Sequence, residues 1–275
     1  MKKNLIAIVL LVFVLSAFAV SADLTVSEVK LGGASQERDV STPTVTVTVK
    51  NTGVAAVTGL NVVKSPSTGY TMTVSALGAN LLQPNESTTF TVQATLALSH
   101  DAVDTKGIPA FFSIGSLTIE SNEQADKVAT VYAQAENNLE FGKSRIKYTN
   151  IDNNDKDKSL GNNDDFDEVK RDQEVTLEVE VKNKFDNDGN CDERDDYGDC
   201  AIEDVELDFE PKNSDFDDDS FDMGDINSDD EDTETFSFEV PDDVDEDDYD
   251  FEMWVTGDDE NGARHGEYMV FTLNV

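Results

Sequence analysis

The chain has 275 residues, 38% of them hydrophobic and 8% aromatic, with 59 Asp and Glu against 20 Lys and Arg, a formal net charge of −39. That charge excludes sequence-independent nucleic-acid binding and docking on anionic lipid, because phosphates are repelled and cations are too few to displace counterions. Only two histidines are present, which excludes a zinc enzyme built on His clusters.

The chain opens with a basic start, Met1-Lys2-Lys3, followed by residues 5–19, apolar apart from Ser16. Val20-Ser21-Ala22 then places small or compact residues where a signal peptidase reads them. A signal peptide over 1–22 is expected, cleaved before Asp23. The rival reading is an uncleaved anchor, for which the stretch is short against a span of about 20 residues. No cysteine sits near the cleavage point, which argues against a lipoprotein, and no second apolar run of membrane length follows. The mature protein is therefore expected to be secreted and extracellular, not integral to the membrane, and held at the cell surface by something else.

Acidity is uneven. Residues 1–140 carry 12 acids and 8 bases, and residues 141–275 carry 47 acids and 12 bases, 32 of the acids being Asp. The step marks a boundary near Asn137-Asn138 and predicts two domains, 23–136 and an acidic 137–275.

Alternation with a period of two runs through both halves, and helix signals are nearly absent after residue 22. Val45, Val47 and Val49 alternate with threonines until Asn51-Thr52-Gly53 ends the strand. Further strands are predicted at 24–31, 57–63, 70–74, 88–96, 111–119 and 128–133. In the second half Val175, Leu177, Val179 and Val181 form an inward file ending at Asn183, so that Thr46–Asn51 corresponds to Leu177–Asn183. Val205, Leu207 and Phe209 form the next file, then Phe236, Phe238 and Val240 before Pro241. Tyr249, Phe251, Met253 and Val255 face Met269, Phe271, Leu273 and Val275. Parity sets the last hairpin: Phe251 opposite Phe271 and Met253 opposite Met269 require a three-residue loop, Glu260-Asn261-Gly262, with Gly262 left-handed. The same register places Trp254 opposite Tyr268 on the outer face. Parts of 152–172 and 213–232 are expected to be disordered, because acidic residues there outnumber apolar ones. The fold class predicted is all-β, two immunoglobulin-like antiparallel β-sandwiches in tandem.

The runs TVTVTVKNTG (44–53), LQPNESTTFTV (82–92) and VPDDVDEDDYDFEMWVTG (240–257) resemble the immunoglobulin-like accessory domain found beside NPCBM modules in glycosidases. They are also similar to CARDB cell-adhesion modules of prokaryotic, often archaeal, surface proteins. Val49-Lys50-Asn51, Pro84-Asn85-Glu86, and Pro241 with the inward Tyr249 carry the likeness. The first repeat has Leu98-Ser99-His100-Asp101 where the proline corner belongs, and the second has 228–232 in place of the Pro-Gly-Glu turn. The resemblance implies a non-catalytic structural or binding module.

Several residues are candidates for chemistry. Cys191 and Cys200, the only cysteines of an exported chain, favour a disulfide over two free thiols. Around them Asp186, Asp188, Asp192, Asp195 and Asp196 offer hard oxygens suited to calcium, though not at EF-hand spacing. Asp152, Asn154, Asp155 and Asp157 form a second candidate calcium loop and 242–248 a third. For each, the alternative is a solvated acidic surface that holds divalent cations only diffusely. His100 and His265 are expected to be ordinary surface histidines, with no G-x-S-x-G nucleophile elbow to serve. Asn85-Glu86-Ser87 is the single N-glycosylation sequon, and Pro84-Asn85 also reads as a plain turn. Trp254 and Tyr268 are either a binding patch for a sugar or partner or an ordinary cross-strand pair. The expected function is a structural or adhesive cell-surface module contacting envelope proteins or glycans. The alternatives are a carbohydrate-binding or accessory subunit of an extracellular glycoside hydrolase, and a filament subunit exchanging strand 23–31.

Overall fold

The computed structural model describes residues 22–185 and 201–275. The signal-peptide segment, Cys191, Cys200 and the candidate loop 186–196 lie outside the described residues. Regular structure among the described residues is entirely strand.

The first ten strands are β1 (Leu24–Val26), β2 (Val29–Gly32), β3 (Val45–Asn51), β4 (Val57–Thr58), β5 (Asn61–Pro66), β6 (Thr71–Val74), β7 (Leu81–Leu82), β8 (Ser87–Thr95), β9 (Phe112–Glu120) and β10 (Lys127–Gln134). They form sheets of order β1-β3-β8-β6 and β2-β10-β9-β5, with β4 paired to β7. The strand expected over 24–31 is split in two. Leu24 is buried on the even parity and Val29 and Leu31 on the odd, so one straight strand cannot bury all three. The chain turns at Ser27-Glu28 and β2 joins the other sheet.

The remaining strands are β11 (Leu139–Phe141), β12 (Arg145–Thr149), β13 (Asp155–Ser159), β14 (Asp164–Phe166), β15 (Gln173–Asn183), β16 (Ile202–Pro211), β17 (Asp219–Ile226), β18 (Glu231–Val240), β19 (Asp248–Asp259) and β20 (Arg264–Asn274). One sheet runs β11-β15-β12-β13 with β18 on the far side of β15; the other runs β14-β20-β19-β16-β17. The β14–β20 pair is parallel. The two sheets share one apolar cluster, in which Phe209 stacks on Phe251 (5.5 Å, 16°) and Phe251 on Phe271 (5.2 Å, 11°). The expectation of disorder in 152–172 and 213–232 is corrected: β13, β14 and β17 lie there. Leu160, Phe166, Val169, Phe216, Met223 and Ile226 are buried, enough apolar anchors to order the acidic residues between them.

The last hairpin has the expected register, Phe251 opposite Phe271, Met253 opposite Met269 and Trp254 opposite Tyr268. Asp259 N–H donates to Ala263 O, and Gly262 at φ 73° closes the three-residue loop. The correspondence of Asn51 with Asn183 is physical. Both are fully buried and end their strands. The Asn51 amide donates to Ala55 O and Leu82 O while its Oδ1 accepts from Gly53 N. Asn183 donates to Ile226 O and accepts from Phe185 N. Each Asn N–H also reaches a turn built alike: Asn51 donates to Glu86 O after left-handed Asn85, and Asn183 to Asp230 O after left-handed Asp229.

Contacts divide the chain into two compact units. One gathers the described residues up to Leu31 with Pro43–Ala94 and Ser113–Tyr132; the other gathers Gly32–Thr42, Thr95–Phe112 and Ala133–Val275.

Candidate functional site

The second unit carries the features with chemistry. Strand alternation turns Glu252 and Trp254 of β19 and Tyr268 of β20 to the outer face, opposite the core file of Phe251, Met253 and Met269. The segment Thr95–Phe112 lies against this face. Ala102 N–H donates to Arg264 O, and Gly107 sits at φ 72°, where a Cβ would fall 2.7 Å from the Glu267 backbone. That approach brings the Lys106 ammonium 2.6 Å from Glu210 Oε2, 3.0 Å from Glu252 Oε2 and 4.2 Å from the centre of the Trp254 ring. Lys212 Nζ is 2.6 Å from Glu252 Oε2, and Tyr268 donates to Glu252 Oε1 at 2.5 Å.

Burial alone would raise the Glu252 carboxyl, but hydrogen bonds from Lys212, Tyr268 and Lys106 hold it at about 2. Burial and the Glu252 carboxylate push the Tyr268 phenol up to about 12. The hydrogen bond to Glu210 leads the effects that raise Lys106. The Trp254–Tyr268 pair is thus a cross-strand pair whose indole has an ammonium over it, and a sugar stacking on that face would have to displace Lys106.

The expectation of surface histidines is corrected. His100 is 1% and His265 0% exposed. His100 Nε2 is 3.1 Å from Ala133 O, and its own carbonyl accepts from Arg38 Nε at 2.8 Å. His265 Nδ1 accepts from Asn138 N–H at 3.0 Å, which leaves Nε2–H to face Asp259 Oδ2 at 3.4 Å. Burial lowers the pKa of both rings. Both therefore tie loops to strands. Period-two reasoning missed this because His265 falls on the inward parity just past the hairpin loop, a signal the sequence did contain.

Asp152, Asn154, Asp155 and Asp157 are not brought around one point. Asp155 and Asp157 sit in β13, where Asp155 accepts from Thr149 Oγ1 and Asp157 pairs with Arg145 at 2.7 Å. Asn154 N–H instead closes a turn on Asn150 Oδ1. Among the described residues no three His, Cys, Asp or Glu side chains gather closely enough to hold a metal ion. Asn85 is exposed at a turn tip with φ 66°, and Glu86 folds back to accept from Gln83 N–H.

Sequence reasoning also missed a groove of about 660 Å³ on the open flank beside β18. Phe216, Phe236 and Phe238 line its floor, and Asp172, Asp217, Asp218, Glu239 and Asp242 its walls; among the described residues no Lys or Arg lines it. Phe216 and Phe236 are nearly buried, whereas Phe238 is half-buried.

No family model matches the chain. No curated protein matches it either. Solved structures with similarity include the secreted serine protease VesC from Vibrio cholerae, 12% identical over 82% of this chain and 48% of that one, with a TM-score of 0.31. Red sea bream transglutaminase is 10% identical over 91% of this chain and 31% of its own, with a TM-score of 0.39. A protein of unknown function from Porphyromonas gingivalis W83 is 10% identical over 92% of this chain and 99% of its own, with a TM-score of 0.33. The chain spans about half the length of the first of these and about a third of the second.

Proposed function

We propose that this is a non-catalytic structural or adhesive protein of the cell surface, built from two immunoglobulin-like modules in tandem. The observation that carries the reading is the repeated construction: a buried Asn ending β3 and β15, clamped to the next turn in the same way each time. The Tyr249 hydroxyl, donating to Asp245 O at 3.0 Å from the start of β19, supports the immunoglobulin-like assignment, since a tyrosine corner occupies that place in such domains. Three side chains singled out from the sequence make contacts of their own. Both histidines hold loops, and Trp254 lies under Lys106.

Fractionation of the native host tests the proposal. Protein from the envelope or medium should begin at Asp23 and bind isolated envelope. Cytosolic protein beginning at Met1, with no affinity for envelope, would refute it.

A further inference from the structure

The two repeats treat one strand edge differently. In the first, β8 lies between β3 and β6, so both its edges are paired. In the second, the corresponding β18 pairs, among the described residues, with β15 alone, because β17 joins the opposite sheet. An unpaired edge invites another chain to add a strand, and proteins commonly blunt such edges with charge.

Here the blunting stops halfway. Asn183 N–H donates to Asp230 O, and the register of β15 with β18 is unbroken from Gln173 opposite Val240 to Lys182 opposite Glu231. Even-numbered residues of β18 therefore turn their N–H and C=O toward β15, and odd-numbered ones turn theirs outward. Along the first half, each outward N–H is taken by the carboxylate of the residue before it. Glu231 N–H donates to Asp230, Thr233 N–H to Asp232 and Thr235 N–H to Glu234, at 3.0, 2.8 and 3.1 Å. The edge strand β17 does the same at Ser220, through Asp219. Before Ser237 and Glu239 the preceding residues are Phe236 and Phe238, which have no acceptor to offer. The edge is left open where the groove of Phe216, Phe236 and Phe238 begins.

We propose that the stretch Phe236–Val240 accepts an extended, Lys- or Arg-bearing segment of a partner protein as an added strand. The free backbone groups of Ser237 and Glu239 would pair with it. The Phe floor would take the apolar stems of its basic side chains, and the walls of Asp172, Asp217, Asp218, Glu239 and Asp242 their charges. Charge selects the occupant: the walls hold carboxylates and, among the described residues, no cation, and a net −39 on each molecule opposes a second copy of this chain. The inference rests on the contact-module reading and names what is contacted.

The test uses the full chain and three synthetic heptapeptides. One alternates Lys and Val, one replaces Lys with Glu, and one keeps Lys-Val but is N-methylated at alternate amides to abolish strand pairing. The Lys-Val peptide should bind, weaken with added salt, and slow amide exchange at Ser237 and Glu239 while leaving Thr233 and Thr235 unchanged. The Glu-Val peptide should not bind. N-methylation should cost about tenfold in affinity or more, the worth of one to two backbone hydrogen bonds. Ser237→Pro, tolerable on an edge, should abolish the exchange signature. Phe238→Ser, which leaves the backbone edge intact, should weaken binding if Pro disturbs the strand. Equal binding of the N-methylated peptide would reduce the effect to charge alone and overturn the proposal. So would protection of the same amides on self-association without peptide. Envelope binding that persists with no peptide protection would overturn this inference and leave the module reading standing.

Discussion

At the scale of single residues, His265 has the largest consequence. Its Nδ1 is committed as an acceptor to Asn138 N–H, so protonating the folded protein would break that bond at a fully buried ring. Asp259 and Asp101 favour the charged ring and Arg38 opposes it, but burial dominates and the folded pKa lies below the ordinary value near 6.5. The sign follows: above about 6.5 neither folded nor unfolded ring binds a proton, and below it the unfolded chain takes one that the folded chain refuses. Stability is therefore lost as pH falls from about 6.5, by up to about 1.4 kcal/mol per pH unit, until the folded ring titrates. Falling pH also relieves carboxylate repulsion, so the comparison must be with His265→Asn, which shares every other charge. The difference between the two proteins in unfolding free energy should shrink for the wild type from pH 7 to pH 5. Parallel pH profiles would sink this account.

At the scale of elements, the segment Thr95–Phe112 docks by shape and charge together. Gly107 permits the approach, and Lys106 meets two carboxylates and the indole of Trp254, the only tryptophan in the chain. Lys106→Ala should leave Glu210 without its ammonium and expose the indole, so Trp254 emission should shift to the red with little change in secondary structure. Gly107→Val, whose Cβ would collide with the Glu267 backbone, should give the same shift with the charge intact. An unchanged emission maximum in both variants would show that the segment does not cover Trp254 in solution. Most strands and the final hairpin were legible, because a one-sided face forces strict alternation. The Lys106 contact was not: it joins residues 146 positions apart, and nothing local at Thr105-Lys106-Gly107 distinguishes it from any exposed turn.

At the scale of the molecule, −39 is the dominant electrostatic fact. The described ion pairs are mostly at exposed side chains, such as Lys30 with Glu28 and Lys127 with Asp23, and pairs of that kind contribute little. Repulsion is therefore largely uncompensated. Raising sodium chloride from 0.1 to 1 M contracts the Debye length from about 10 Å to about 3 Å and should raise the melting temperature, by about 2–4 °C for each kcal/mol recovered. A melting temperature indifferent to salt would refute this. Calcium titrated into the high-salt sample separates screening from coordination. A further saturable rise, lost on Asp186→Asn with Asp188→Asn, marks 186–196 as a calcium loop; no further rise leaves screening as the whole effect.

By itself the sequence determined the all-β class, the inward files from Val175 to Leu273, the register of the last hairpin and the matched ends at Asn51 and Asn183. These are local facts: side-chain parity, turn chemistry and the need to bury one face act over a few residues and read directly from their order. Tertiary structure alone decided which strands became edges, that 24–31 changes sheets, that His100 is buried, and that Lys106 reaches Trp254. Each depends on which distant backbone lies alongside, so the same alternating strand can be paired on both sides, as β8 is, or left open on one, as β18 is.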